Sequence, residues 1–490
     1  MVASPATTSP SPPVDTRGRA LAEIASFFDS FAAVEQRWRS RNRTYYRLVE
    51  SVHRFLIPRG ARVLELGSGS GDLLASLEPA RGLGIDVSGE MTKLARARHP
   101  DLEFVEAAAE DFRRDELFDY VVLSDFVSFA YDLQAVFANV AAMTHARSRV
   151  VIHSYSQLWR PVIRLAELLS LKKRKPIRNW VTPEDLDNLL QLAGLETVAV
   201  TPRILMPKKI PLLTNFLNGI VANIWPFTHL CLTYWVVARQ LPTQADAHMG
   251  VSVVIPARNE AGMIAEIVER VPELGSATEL VFVEGGSSDD TYDEIARQIA
   301  SRPERSISLY RQTGTGKADA VRLGFDRAQH DLLMILDADL TVPPEELSKF
   351  YDAVARGYAD FVNGSRLVYD LEPGAMQTLN VFGNKAFSRI FSYLMRQNVK
   401  DTLCGTKVLL RDDYAAIAQG RADFGDFDPF GDFDLLLGAA RRGLKIVDLP
   451  VHYHARRYGT TNISRFSHGW LLLKMAFVGF DRLKYRPVRV

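Results

Sequence analysis

The chain has 490 residues, with 59 basic and 58 acidic side chains and a formal net charge of +1. That length calls for roughly two or three domains, each able to bury a core, and 47% hydrophobic with 24% charged residues excludes a disordered chain. Near-neutrality argues against a nucleic-acid binder, which carries a basic excess, while only two cysteines, Cys231 and Cys404, exclude a disulfide scaffold and fit a reducing cytoplasm.

Residues 1–18 open with a Ser-, Thr- and Pro-rich stretch without an apolar run, expected to be a disordered tail and not a signal peptide. Beyond it, short β-type runs alternate with helical patterns, the signature of α/β domains with mainly parallel sheets. In the first half, Val63–Leu66, Gly82–Ile85, Glu103–Val105, Tyr120–Leu123, Arg149–His153 and Leu230–Val237 read as strands. Thr182 followed by Pro183 predicts a capped helix start within residues 179–196. Residues 210–238 carry no charge, yet Pro211, Asn215, Asn218, Asn223, Pro226 and His229 interrupt them, so a buried or interfacial helix pair followed by a strand is expected in place of a membrane span. The polar stretch 241–249 reads as a linker between domains at 19–240 and 250–490. In the second half, Val251–Ile255, Leu280–Val283, Leu332–Leu336, Asp360–Val362 and Lys445–Val447 read as strands. The expected class is α/β, with two consecutive doubly wound domains.

The first of these strands runs into a loop in which Gly67, Gly69 and Gly71 follow the acidic Glu65. Glycines there permit a tight turn and close approach of a ligand to the backbone at a helix N-terminus. The next strand ends in Asp86, placed to accept hydrogen bonds from ribose hydroxyls; helix capping is the alternative use of such an Asp. The spacing differs from the Gly-x-Gly-x-x-Gly of dinucleotide sites, and the acid before it suits a ligand with a positive charge. Over about 60–240 the chain resembles class I S-adenosylmethionine-dependent methyltransferases. The resemblance implies a Rossmann-like fold that binds S-adenosylmethionine through Glu65, the glycine loop and Asp86, with adenine at Ala109 and Glu110 and with Asp125 at the mouth of the site. It names no methyl acceptor.

In the second half, an apolar run delivers Asp337 and Asp339 to one strand end, where residues i and i+2 face the same way. Two such carboxylates repel unless protonated or bridged by a cation, and oxygen-only ligands suit Mg2+ or Mn2+. With the segments at 251–260 and 280–291, this motif resembles family 2 glycosyltransferases of GT-A fold, nearest to dolichol-phosphate mannose synthases and bacterial polyprenyl-phosphate glycosyltransferases. The resemblance implies a metal at Asp337 and Asp339. It implies nucleotide-sugar contacts at Pro256, Ala257, Asn259, Glu260, Glu284, Gly286, Ser287, Asp289 and Arg456, and diphosphate contacts at Lys317 and Arg366. Asp434 stands where the family has a Glu, and Thr341 where it has a Gln; Gly459 and Thr461 match its closing phosphate motif.

The expected activity is inverting transfer from a GDP- or UDP-linked nucleotide sugar to a polyprenyl phosphate, whose anionic oxygen needs no strong base. For a sugar hydroxyl acceptor, in a polysaccharide or small glycoside, Asp432 or Asp434 would be the base, and the first half could then be a non-catalytic scaffold. Residues 456–490 carry eight basic groups against the single acid Asp481, interleaved with Trp470, Phe477 and Phe480. That pattern suits an anionic membrane surface, hence a cytoplasmic protein held peripherally at the inner face.

Overall fold

Apolar runs with β-branched residues pleat into strands here because helices cover both sheet faces, so no polar alternation is required. The computed structural model describes residues 16–169, 179–242, 248–369, 378–421, 433–458 and 465–489. Fourteen strands occur among them: β1 Arg62–Leu66, β2 Arg81–Asp86, β3 Glu103–Glu106, β4 Phe118–Ser124, β5 Thr144–Tyr155, β6 Leu195–Arg203, β7 Thr233–Gln240, β8 Val251–Ala257, β9 Thr278–Glu284, β10 Ser306–Arg311, β11 Leu332–Ile335, β12 Phe361–Ser365, β13 Lys407–Leu410 and β14 Ile446–Pro450.

Two sheets of seven strands result, ordered β3-β2-β1-β4-β5-β7-β6 and β10-β9-β8-β11-β13-β12-β14. β1 to β5 pair in parallel, whereas β6 and β7 are antiparallel to each other. In the second sheet only β13 runs against its neighbours. Both are doubly wound α/β sheets. Their strand order reverses between β1 and β4 and between β8 and β11, and ligands of such sheets bind beyond the strand carboxyl ends at that point. Successive side chains of β8 and β11 alternate between two cores: Val253, Ile255 and Met334 lie in one, Val254, Leu333 and Ile335 in the other. Packing divides the chain into two units, Met1–Tyr46 with Arg59–Gly194, and Arg47–Pro58 with Leu195–Val490.

Several local expectations change. A helix already starts at Thr16, inside the expected tail; residues 1–15 and 243–247, the latter within the expected linker, lie outside the described residues. The uncharged stretch forms one helix, Leu213–Gly219, and two 3-10 turns in place of a helix pair, and its strand begins at Thr233, three residues after Leu230. Prolines at 211 and 226 and scattered asparagines shorten these helices. β6, β10 and β13 were not expected: β10 is a half-buried edge strand, and β13 has only four residues. Thr182 caps the helix Pro183–Leu192 in a reciprocal capping box with Asp185. Among the described residues, no helix is long and apolar enough to cross a membrane.

Candidate active sites

Where β1 ends, Gly67, Gly69 and Gly71 all take left-handed backbone, at φ of 73°, 51° and 76°, a conformation costly for any side chain. The turn turns the Gly69 amide onto Asp86 Oδ2 (2.8 Å), while Asp86 Oδ1 accepts from the Ser88 amide (2.9 Å). The helix after β2 is capped by Ser88, whose Oγ accepts from Met91 N, so Asp86 is not its cap. Burial raises the Asp86 pKa, against the pull of these two amides. Glu65 is buried; its Oε2 accepts from Leu74 N at 3.1 Å. Burial pushes its pKa up to about 8, with the Leu74 amide opposing.

The consequence for stability has a definite sign. The unfolded carboxyl ionises near pH 4.3, the folded one only near 8. Stability is therefore lost as pH rises through that window and is constant above it. Glu65→Gln should melt several degrees above the wild type at pH 8 and level with it at pH 4, by thermal denaturation. A lower midpoint at pH 8 would contradict the assignment.

Glu110 turns its carboxylate to the Tyr131 amide (2.9 Å), and Asn139 binds the carbonyls of Ala109 and Glu110, so this segment is held as a rigid wall. Asp125 sits in left-handed backbone at φ 56°, its amide donating to His153 O, beside Ser124 Oγ, which lies 3.2 Å from His153 Nδ1. Sequence reasoning missed the helices before β1. Glu35 accepts from Ser70 Oγ in the glycine loop, Arg39 pairs with Asp72, and Asp29 accepts from Ser88 Oγ. No motif signals them; chain folding alone carries them to the loop.

At the second sheet's switch point, the β8 loop and the β9 turn are tied together. Asn259, at φ 56°, donates its amide to Ser287 Oγ and accepts from the Ser288 amide; Glu260 N donates to Thr291 Oγ1 and Ala261 N to Asp289 Oδ2. Pro256 and Ala257 end β8, with Ala257 O accepting from Gly285 N. Glu284 is buried and accepts from Ser287 N, while Gly286, at φ 72°, faces open space. Burial would raise the Asp289 pKa, but hydrogen bonds from Thr291, Ala261 and Tyr458 outweigh it and lower it. Burial raises Glu260 to about 7, with Arg456 opposing and Asp339 adding to the rise.

Beyond β11 the two expected carboxylates each hold a cation. Asp337 pairs with Lys317, and a β-carbon at Gly405 would collide with both groups. Lys317 outweighs burial and lowers the Asp337 pKa, helped by Lys407 and Arg366. Asp339 Oδ1 accepts from Thr341 N (3.1 Å) and Oγ1 (2.8 Å), and its Oδ2 pairs with Arg456 Nη2 (2.6 Å). Arg456 also reaches Glu260 at 3.3 Å. It belongs to a segment after β14 that crosses this edge: His454 N donates to Thr341 O, and Tyr458 OH to Asp289. Gly459 and Thr461 lie outside the described residues.

Arg366, just past β12, is fixed by a residue the sequence reading left out. Asp401, fully buried, accepts from Arg366 Nε (2.7 Å) and Nη2 (2.9 Å), and from Asn384 Nδ2 (2.6 Å). Burial opposes ionisation of Asp401, but Arg366 holds its pKa down at about 2. The guanidinium carbon lies 5.1 Å from the Tyr453 ring centroid. Asp434, the candidate base, pairs with Arg421 (2.7 Å) and Arg322 (3.4 Å), so its carboxylate already faces two guanidiniums. Asp432 lies outside the described residues.

Asp337 and Asp339 form an oxygen-only donor set at one strand end, which fits Mg2+ or Mn2+, ions that leave much of their coordination to water and diphosphate. Among the described residues no three His, Cys, Asp or Glu side chains converge to cage a metal ion.

Residues 252–416 match the family model Glycosyl transferase family 2, and residues 38–200 match a Methyltransferase domain model. The chain is similar to glycosyltransferase AglJ of Haloferax volcanii, at 30% identity over 224 residues, covering 45% of this chain and 69% of that protein. It is 31% identical over 219 residues to the dolichyl-phosphate hexose transferase of the same organism, covering 44% of this chain and 88% of that one. Other curated relatives are longer, and the chain spans 34% of one and 55% of another. Among solved structures, a Haloferax volcanii methyltransferase in complex with the Trm112 activator superposes with a TM-score of 0.35 at 21% identity, covering 44% of this chain and 97% of that one. The chain therefore belongs to the family 2 glycosyltransferases, and it joins that glycosyltransferase domain to a methyltransferase domain.

Proposed function

We propose that the glycosyltransferase domain transfers a sugar, with inversion, from a GDP- or UDP-linked nucleotide sugar to a polyprenyl phosphate. The observation that carries this reading is the Asp337–Asp339 pair at the β11 end, ringed by Lys317, Arg456 and, nearby, Arg366. Such a ring suits a departing nucleoside diphosphate, because cations fixed before the reaction stabilise charge as it develops. A phosphate oxygen of the acceptor attacks the anomeric carbon as the bond to the diphosphate breaks. That oxygen carries no proton to remove at pH 7, so no base is required. The pairing of Asp434 with Arg421 and Arg322 favours this acceptor over a sugar hydroxyl. The similarity to a dolichyl-phosphate hexose transferase supports the same class.

Asp337 and Asp339 would hold the Mg2+ or Mn2+, which when bound adds positive charge against the diphosphate. Lys317 and Arg456, each of which answers one of those carboxylates, would with the cation in place face the phosphates of the substrate. In the methyltransferase domain, the glycine loop, Glu65 and Asp86 would receive S-adenosylmethionine, with Ala109, Glu110 and Asp125 around its other parts. We place the protein peripherally at the cytoplasmic membrane face, where a polyprenyl phosphate presents its head group.

The test offers labelled GDP- and UDP-sugars to the full chain with Mn2+, with and without polyprenyl phosphate, and counts label in the organic phase. Label that requires the lipid supports the reading, and its absence with every sugar sinks it. Titration calorimetry with S-adenosylmethionine tests the other domain, where no heat would remove the cofactor.

A further inference from the structure

Three elements of the second unit bring basic side chains together, with no acid beside them among the described residues. Arg203 ends β6, Arg396 follows the helix Thr378–Met395, and Lys484 lies in the turn Asp481–Tyr485; Cys231, before β7, completes the cluster. Lys484 is 1% exposed and Arg203 7%. Two Arg203 nitrogens donate to the carbonyls of Leu483 and Lys484, but its Nε, and Nε and Nη2 of Arg396, are buried with no hydrogen-bond partner. The Lys484 ammonium and the Arg396 guanidinium carbon lie 5.1 and 5.2 Å from the Tyr393 ring centroid. Burial, then Arg396 and Arg203, hold the Lys484 pKa well below its ordinary value. Burial, then Arg396, lower Arg203 to about 10. Among the described residues no carboxylate acts on any of the three, and buried basic groups are costly unless an anion answers them.

The cover over the cluster is apolar. Tyr393 donates its hydroxyl to the Asn223 carbonyl, and Gly219 packs so closely on Tyr485 that a β-carbon there would collide with the ring. Both residues belong to the uncharged stretch, whose Leu212 (89% exposed) and Trp225 (78%) stand in solvent with Ile224 and Phe216. A site for a freely diffusing anion has no use for an exposed apolar rim, whereas a lipid head group enters beside its own acyl chains. We propose that Arg203, Arg396 and Lys484 form a receptor for the phosphate group of an anionic membrane lipid, reached beneath the uncharged segment 212–230 and separate from the Asp337–Asp339 site.

The inference rests on the membrane placement above but not on the sugar acceptor. The full chain is floated with phosphatidylglycerol or phosphatidylcholine vesicles, free of polyprenyl phosphate, in 0.5 M salt to screen surface attraction. Wild type should float with phosphatidylglycerol, and Lys484→Met and Arg396→Met should each lose about tenfold in partitioning, more than a surface charge contributes. Inorganic phosphate, against chloride at equal ionic strength, should raise the melting midpoint of wild type more than that of Lys484→Met. If phosphate does so while vesicle binding is the same in all variants, the lipid is the wrong source and that part of the proposal falls. Should a variant fail to fold, hydrogen exchange of residues 481–488 in the wild type decides. Slowing by phosphatidylglycerol vesicles supports the receptor, and unchanged exchange overturns it. Sugar transfer is assayed separately on a soluble short-chain acceptor, so failure of either leaves the other standing.

Discussion

Replacing Asp339 by asparagine should lower the rate of sugar transfer by about 10²- to 10³-fold, the range seen when one preorganised electrostatic contact is removed. Asn keeps the volume and can keep the bonds from Thr341 N and Oγ1 that orient the side chain. What it loses is the charge that now holds Arg456 at 2.6 Å and would hold a divalent cation. The loss should fall on kcat and on Mn2+ affinity together, because the cation and Arg456 both act on the leaving diphosphate. Steady-state transfer into the organic phase at several Mn2+ concentrations measures it. A rate within threefold of wild type would mean that this strand end does not perform the chemistry.

The second large effect concerns folding. Asp401→Asn should cost about 3–5 kcal/mol, because Arg366 would remain buried without its carboxylate. At this chain length that lowers the midpoint by roughly 10 °C. The pH profile distinguishes this from simple repacking. Asp401 titrates at about 2 in the folded protein and near 3.9 unfolded, so its contribution is complete above the unfolded value and disappears as pH falls through the folded one. The gap between wild type and Asp401→Asn should therefore be full at pH 7 and narrow as pH falls through the window from about 4 to about 2. A gap that persists unchanged at pH 2.5 would assign the loss to shape, not charge. Activity should fall as well, since Arg366 takes its orientation from Asp401 through two parallel hydrogen bonds.

The placement of both candidate sites was legible because a doubly wound sheet binds its ligands where apolar runs stop. Val63–Leu66 leads to Gly67, Leu280–Val283 to Glu284, and Leu332–Leu336 to Asp337, and each of these acids or glycines stands at a strand's carboxyl end. The helix capped by Thr182 was legible for the same local reason. β10 and β13 were not: an edge strand and a four-residue strand take their conformation from neighbours across the sheet, not from their own pattern. The partners of the basic C-terminal segment lie far from it in sequence as well as near it. Of its eight charges, Arg456 answers Asp339 and Glu260, Arg457 answers Glu266, Arg486 answers Asp481, and Lys484 is buried.

By itself, then, the amino-acid sequence determined the two α/β domains, the glycine loop beside Asp86 and the paired carboxylates at 337 and 339, because each depends on residues close together in the chain. Only the tertiary structure decided which charge answers which. Asp401 meets Arg366 across 35 residues, Arg456 meets Asp339 across 117, and Arg203 binds the carbonyl of Lys484 across 281. The physical reason is that a counter-ion is selected by distance and burial after folding, so a net charge of +1 conceals a cluster of three basic side chains that no acid among the described residues answers.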